Sequence, residues 1–462
     1  MRTVLIFSVA CAVAGCSIGP DYETPTMNLP DRYSLVAPVT KASPSELYWW
    51  KAFNDPVLNQ LVAKGLSDNL TVAEARERIR EAEAVFRRDS VTPLGDLTLQ
   101  ARDNSDSADI GSAELDANFG VPARKQWASR AAQQRLQAAE LGEAEAKRLL
   151  LSDLSESYIN LRFLQSSLAL RQQDLNSRQR TLRDIRTQLD AGAATRLDVL
   201  RAQALVAETR AEVPQIRSDI VAQRNRISTL LGVPVGHLGI DLGGNGAQPV
   251  PMGVGSLGVP ADLLRARPDI RVAERQYAAA VSDMGVAEAA RYPSLSLSGL
   301  LTAPLNGNGA NAESLIAGVT VPVFSQPSLA AAEDAAAARA QQAFIRWRLS
   351  VLGAVEEVEN ALAALAAANE ASAASRELVS YNERALNLSR RLVGEGGNAT
   401  VLDIIDRERS LSTARQGLAR NLRDLAAAYV ALRVALGVGH DTPTAEHAER
   451  VEPEPQPMQD EG

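Results

Sequence analysis

Few side chains in this chain of 462 residues are of a type and spacing that could do chemistry. Its thiols are Cys11 and Cys16, and its imidazoles are His237, His440 and His447. Two cysteines close together near the N-terminus make neither a disulfide framework nor a metal-ligand set. The histidines fall in a Gly/Pro-rich linker and a polar tail, so they read as solvated loop residues and not as ligands or proton-transfer groups. Gly-x-Ser-x-Gly, His-Glu-x-x-His and P-loop patterns are absent. Gly243-Gly244-Asn245-Gly246 lacks the strand-to-helix context of a phosphate loop and reads as linker. No catalytic group, metal or cofactor is therefore expected. Two features remain: one thiol at a processing site, and a pair of repeated Leu-Asp acids.

The thiol is Cys16. Arg2 opens a short positive segment, and Val4 to Ala14 is an apolar run too short to span a bilayer. It ends in Val13-Ala14-Gly15-Cys16, which resembles a bacterial lipobox. The small residues before the cysteine fit a signal peptidase, and the thiol would then be acylated and become the first residue. Ser17 follows in place of an aspartate, which by resemblance to other lipoproteins directs the chain to the outer membrane.

The acids are Asp198 and Asp403, each following a leucine, Leu197 and Leu402. Each lies near a predicted helix start, where a carboxylate can cap backbone N–H groups and offset the helix dipole. The pairing reflects a duplication. At an offset of 200, Val72-Ala73-Glu74 matches Val272-Ala273-Glu274, and Val121-Pro122 matches Val321-Pro322. At an offset of 205, Gly192 matches Gly397, Ala194-Thr195 matches Ala399-Thr400, and Leu231-Gly232-Val233 matches Leu436-Gly437-Val438. The matches are collinear, so the chain is a tandem repeat with a small insertion.

Each repeat predicts the same elements. A helix (Asp55 to about Arg88; Pro260 to about Ala290) leads to two alternating runs, Leu97–Ala101 and Ala113–Phe119 in the first half, Leu295–Leu300 and Ser314–Val323 in the second. Alternation marks strands with one apolar face. Polar loops, Asp103 to Gly111 and Leu305 to Asn311, join them. Long helices follow. Leu154, Leu161, Leu168, Leu175, Leu182 and Leu189 recur every seven residues, and Val199, Val206, Val213, Ile220 and Ile227 return. Val351, Val358, Leu365, Val379, Leu386 and Val393 repeat the pattern with Ser372 in the one polar slot, and Ile404, Leu411, Leu418, Leu425 and Leu432 return. Such stripes predict left-handed coiled coils. The outgoing helix of about Arg124 to Leu189 would be roughly 100 Å long. Gly192 and Gly394-Gly396-Gly397 mark the two tips, and Pro214 should kink the first return helix or mark a junction.

Composition agrees. Aromatic residues make up only 4% of the chain, and its formal charge of −8 is spread without a basic block, which argues against a nucleic-acid partner. The predicted order is a signal peptide (1–15), a lipid-anchored tether (16–50), a first repeat (51–231), a Gly/Pro-rich connector (232–259), a second repeat (260–438) and an acidic tail (439–462). The fold class is mixed α+β, mostly α. No predicted helix is apolar enough to span a membrane, so a membrane-crossing chain must use strands in a closed barrel. Four strands cannot close one, and chains must pool them: about twelve strands from three copies, or about eight from two. A periplasmic coiled-coil scaffold without a barrel is the competing reading, and the paired alternating runs speak against it.

Several motifs carry a resemblance over nearly the whole mature chain. They are Tyr48-Trp49-Trp50-Lys51-Ala52-Phe53-Asn54-Asp55-Pro56, Leu263-Leu264-Arg265-Ala266-Arg267-Pro268-Asp269-Ile270, Ala273-Glu274, Tyr292-Pro293-Ser294-Leu295-Ser296-Leu297, and the tip motif from Gly192 to Gln203 with its second copy. In these the chain resembles the TolC/OprM-type outer membrane factors, in particular the lipidated NodT-like branch. The stretch from Ala117 to Lys125 departs from the family's aromatic pattern. The resemblance implies a homotrimer with a transmembrane β-barrel, continuous with a periplasmic helical tube. It implies partners too: outer-membrane lipid, a periplasmic adaptor and an inner-membrane RND-type pump. The function implied is passive efflux of drugs or other small solutes, with type I protein secretion as the alternative. Matching the tip motif, it places Leu402 and Asp406 in a gate of apolar and acidic rings. The tip positions Gly192, Leu197, Asp198, Gly397, Leu402 and Asp403 would form the turns and the adaptor contact.

Overall fold

The computed structural model describes residues 19–20, 22–34, 44–91, 96–102, 110–243, 247–252, 267–304, 311–395 and 400–439. A 3-10 helix, Pro44–Phe53, is kinked at Tyr48. It is followed by α1 (Pro56–Asp68), α2 (Leu70–Ser90), β1 (Asp96–Arg102), β2 (Ile110–Gly120), α3 (Pro122–Asp190) and α4 (Arg196–Leu230). The second half supplies α5 (Pro268–Ala289), β3 (Ser294–Pro304), β4 (Ala312–Thr320), α6 (Gln326–Gly394) and α7 (Val401–Ala435).

The duplication is visible in the lengths. Helices α3 and α6 each have 69 residues, and α4 and α7 each have 35. In the first half only Val121 separates β2 from α3, whereas residues 321–325 separate β4 from α6. Four of the five residues inferred from the change of offset fall there, and the fifth lies in the second tip turn, residues 395–400 against 191–195. The structure also corrects one strand boundary. β4 stops at Thr320 and not at Val323, because Pro322 has no N–H to give a ladder. β2 begins at Ile110, so Gly111 belongs to the strand and not to the loop.

The first predicted helix is two. Asn69 interrupts it: its side chain caps α2 by accepting from Val72 N at 2.9 Å and donates to the Leu230 carbonyl at 2.7 Å. Pro214 does not interrupt α4, which runs through it unbroken. The proline removes one donor, so the Arg210 carbonyl loses its helical partner.

The structure forms two compact units, and each gathers corresponding segments of both repeats. One includes Ala75–Gly142 and Pro268–Leu352, and the other includes Leu29–Glu74, Glu143–Arg267 and Gly353 onward.

The first unit contains the antiparallel sheet, in order β1-β2-β3-β4. Its register sorts the side chains by face. Leu97 lies opposite Leu115, Leu115 opposite Gly299, and Gly299 opposite Leu315. Directly opposed residues share a face. Leu97, Leu99, Ala113, Leu115, Leu295, Leu297, Leu301, Leu315 and Val319 therefore line one side. Thr98, Gln100, Ser112, Glu114, Asp116, Ser296, Ser298, Thr302 and Ser314 line the other. Among the described side chains, Glu313 is an exception on the apolar side, and Leu300 and Ile316 are exceptions on the polar side. Asp116, which makes β2 look polar in sequence, simply belongs to the second face. The apolar side is exposed: Leu97, Leu99, Leu115, Leu295, Leu315 and Val319 all face outward from this chain. Among the described residues, β1 and β4 pair along one edge only.

The second unit holds the coiled coils. Every heptad position named above is buried or half-buried. Ser372 is buried too and donates to the Asn369 carbonyl, so the polar slot is satisfied within its own helix. The motif around Asn54-Asp55-Pro56 acts as a clasp. Asp55 caps α1 by accepting from Val57 N and Leu58 N, and its other oxygen accepts from the Tyr158 hydroxyl at 2.7 Å. Trp49, Trp50 and Phe53 are buried, and Trp49 and Phe53 stack edge-on to Tyr429. Arg267, before Pro268 at the start of α5, is buried; it donates to Glu357 at 2.6 Å and to the Ala435 carbonyl at the end of α7. Among the described residues, no helix is long and apolar enough to cross a membrane.

Candidate functional site at the helical tips

The first tip joins α3 to α4 through residues 191–195. The end of α3 is closed by paired bonds, Gly192 N to the Leu189 carbonyl at 3.0 Å and Ala193 N to the Gln188 carbonyl at 2.7 Å. This is the Schellman arrangement, which needs a left-handed residue, and Gly192 supplies it at φ +75°. A Cβ there would meet nothing within 4 Å, so conformation and not space requires the glycine. The same pattern ends the return helices at Gly232 and Gly437, which gives the repeated Leu-Gly-Val its physical meaning.

The start of α4 is a capping box. Thr195 Oγ1 accepts from Asp198 N at 3.2 Å, and Asp198 Oδ2 accepts from Thr195 N at 3.0 Å and from the Thr195 hydroxyl at 2.6 Å. The second tip repeats it: Asp403 Oδ2 accepts from Thr400 N and from the Thr400 hydroxyl, both at 2.7 Å. Both carboxyls are held below the usual carboxylate range. For Asp198 the first cause is the Thr195 hydroxyl, and for Asp403 it is the Thr400 backbone N–H. Leu197 and Leu402 follow the caps on exposed surface.

Asp406 lies four residues beyond Leu402, on the same exposed face of α7. Its carboxylate has no side-chain partner among the described residues. At the corresponding place on the first tip stands Arg201, which pairs with Asp198 at 3.7 Å. The two tips thus carry opposite charge at one equivalent position. Cys16 and Gly397 lie outside the described residues, as do His440, His447 and Gly244–Gly246.

Beneath the tips lies an arrangement that sequence reasoning missed. Ile405 packs on Leu182 and Ile185 of α3 and on Ala202, Leu205 and Val206 of α4. Next to this apolar cluster is a buried polar one. Glu408, only 6% exposed, accepts at Oε1 from Ser177 (2.9 Å), Thr181 (2.9 Å) and Arg390 (2.7 Å). Ser412 donates to Asp174 at 2.6 Å. Buried Arg178 donates to the Leu205 carbonyl and to Thr209 Oγ1, and burial pushes its guanidinium below the usual range. One signal was available: Asp174, Arg178 and Thr181 follow helical spacing immediately beside the leucines at 175 and 182. Among the described residues no group of acids, histidines or cysteines is placed to hold a metal ion.

Comparison with known proteins follows the same outline. A family model described as outer membrane efflux protein matches residues 61–233 and 259–438. The chain is similar to Nodulation protein T of Rhizobium leguminosarum bv. trifolii, with 33% identity over 93% of this chain and 96% of that protein. It is also similar to the pyoverdine export outer membrane protein OpmQ of Pseudomonas aeruginosa, with 27% identity over 95% of this chain and 97% of that one. The solved outer-membrane channel OprN superposes with a TM-score of 0.82 at 28% identity, covering 92% of this chain and all of that chain.

Proposed function

The chain belongs to the outer membrane efflux protein family, and from that membership we propose that it is the outer-membrane duct of a tripartite efflux pump. Three copies pool their sheets into one closed barrel, and their helical hairpins form the periplasmic tube below it. A periplasmic adaptor and an inner-membrane RND-type pump engage the tips and open them. The duct then conducts small solutes passively, with the energy supplied by the pump.

The single observation that carries this reading is the sheet. One face is apolar and exposed, the other polar, and among the described residues both outer strands have an unpaired edge. Lipid tolerates no open sheet edge, so a neighbour must complete each one. A four-stranded sheet reaches a closed barrel only with other copies, and three give about the twelve strands of a mid-sized barrel. Pyoverdine export, which the name of OpmQ states for that relative, supports efflux over protein secretion.

At the tips, Leu402 and Asp406 form the resting gate, with three leucines narrowing the passage and three carboxylates drawing cations to it. Exposed Leu197 and Leu402, held by the turn at Gly192 and by the caps at Asp198 and Asp403, meet the adaptor, and Gly397 belongs to the same contact. Cys16 carries the acyl anchor in the outer membrane.

Crosslinking of outer membranes followed by size analysis tests the assembly. A trimer that copurifies with an adaptor and a pump is the expected result. A water-soluble monomer after removal of the anchor would rule the duct out.

A further inference from the structure

We propose that Glu408 is the positioning residue of the gate, fixing the register of α7 so that Leu402 and Asp406 face the passage in the resting state. This rests on the gate reading given above. It starts from two neighbouring sides of one helix, one exposed and one buried. Leu402 and Asp406 lie on the exposed side, and Ile405, Glu408 and Ser412 on the buried side. Whatever holds the buried side sets where the exposed side points.

Two kinds of contact hold it. Ile405 sits in the apolar cluster with Leu182, Ile185 and Leu205. Apolar burial is non-directional, so it draws the helix inward without fixing its rotation or its height. Glu408 supplies the direction. Its Oε1 gathers hydrogen bonds from two other helices: Ser177 and Thr181 on α3, one turn apart, and Arg390 on α6. A rotation of α7, or a slide along its axis, breaks these bonds together. It also strands a carboxylate that is almost fully buried, the costly outcome for such a group. Ser412, one turn further on, repeats the link to α3 through Asp174.

Stability alone does not require this arrangement, since a well-packed apolar residue can replace a buried charged pair without loss. The node is also incomplete. Glu408 Oε2 is buried and has no hydrogen-bond partner among the described residues, and the residue lines a cleft of about 340 Å³ together with Gln173, Ser177, Arg390 and Arg415. All holding bonds fall on one oxygen while the other is idle. This asymmetry gives a sharp test, because glutamine can present a carbonyl where Oε1 stands and puts its NH2 at the idle oxygen, beside the cleft.

The experiment is single-channel recording of the full-length assembly in planar bilayers, with trimer formation checked on gels. Glu408→Ala should raise closed-state conductance several-fold, and Ser177→Ala/Thr181→Val should do the same from the other side. The combination of all three should add nothing further, since they remove one shared contact. Glu408→Gln should remain near the parent, which a role in charge alone would not allow. Asp406→Ala is the control for the gate. If it and Leu402→Ala both leave conductance unchanged, the gate reading fails and takes this one with it. If Asp406→Ala raises conductance and Glu408→Ala does not, only the role of Glu408 falls. Glutamine behaving like alanine, or a serine–threonine variant indistinguishable from the parent, overturns it equally. Should Glu408→Ala fail to assemble, the Ser177→Ala/Thr181→Val pair, which leaves the carboxylate in place, decides.

Discussion

Asp198 and Asp403 show how a residue that looks functional can be assigned its first duty by geometry. Each carboxylate turns back onto its own helix start, where it meets the backbone N–H and hydroxyl of a threonine. Removing that hydroxyl with Thr195→Ala should cost about 1 kcal/mol of local helix stability. Hydrogen exchange at residues 196–199 should accelerate, while exchange in the middle of α4 stays unchanged. The acids also set a pH dependence. Their folded pKa values lie below the ordinary one. Their contribution is therefore complete above the ordinary carboxylate pKa and is lost as the pH falls through the lowered value. Tip exchange, taken relative to its intrinsic rate at each pH, should thus be flat from neutral to mildly acidic pH and rise only in strong acid. A rise near neutrality would mean that other groups control the tips. Asp406 differs from these acids in having no side-chain partner among the described residues. Asp406→Ala should weaken cation preference and raise closed-state conductance, both read in bilayers. Sequence alone gave Asp406 its prominence by resemblance. It gave none to Glu408, because a glutamate in a charged helix reads as surface until neighbouring helices bury it.

The helices were the most legible elements, because a seven-residue stripe specifies both helix and partner face without tertiary information. The strands were legible in kind but not in extent. β2 and β3 run longer than their alternating runs, since Gly111 and Pro304 break the pattern without leaving the ladder. The break at Asn69 was hidden because asparagine inside a helical pattern does not announce which carbonyl its amide will reach. The sheet's two faces yield a direct comparison of neighbours. Leu99→Arg places a charge on the apolar side and should cost a few kcal/mol if that side meets hydrocarbon. Gln100→Arg, one residue on, points to the other side and should be tolerated. Heat-modifiable trimer in outer membranes measures both. Equal loss in the two variants would show that the apolar face does not meet lipid. At the turns, Gly192→Ala should cost about 1 kcal/mol from the left-handed backbone alone, with no steric term, as nothing lies near the added methyl.

At the scale of the whole molecule, the two repeats have equal helices and unequal charges. Equal lengths, 69 and 35 residues in each hairpin, are what tips ending at a common level would need. Arg201 at one tip and Asp406 at the other show that equal frames have come to carry different chemistry. That difference lies in single letters and was plain in the sequence. How copies meet was not, because an edge strand looks the same whether it ends a sheet or continues into another chain.

The unpaired edges of β1 and β4 have a genetic consequence. The proposed barrel, closed only through its neighbours, would make each copy responsible for the others. A subunit with intact helices but a spoiled β4, for example by Leu315→Pro, would still enter an assembly and leave its ring unclosed. Expressed beside the normal gene, such an allele should behave as dominant, lowering efflux by more than its share of the subunits. A deletion of the whole gene copy should be recessive. Drug susceptibility of cells carrying both alleles distinguishes the two, and a recessive β4 allele would indicate that the chains close their sheets alone.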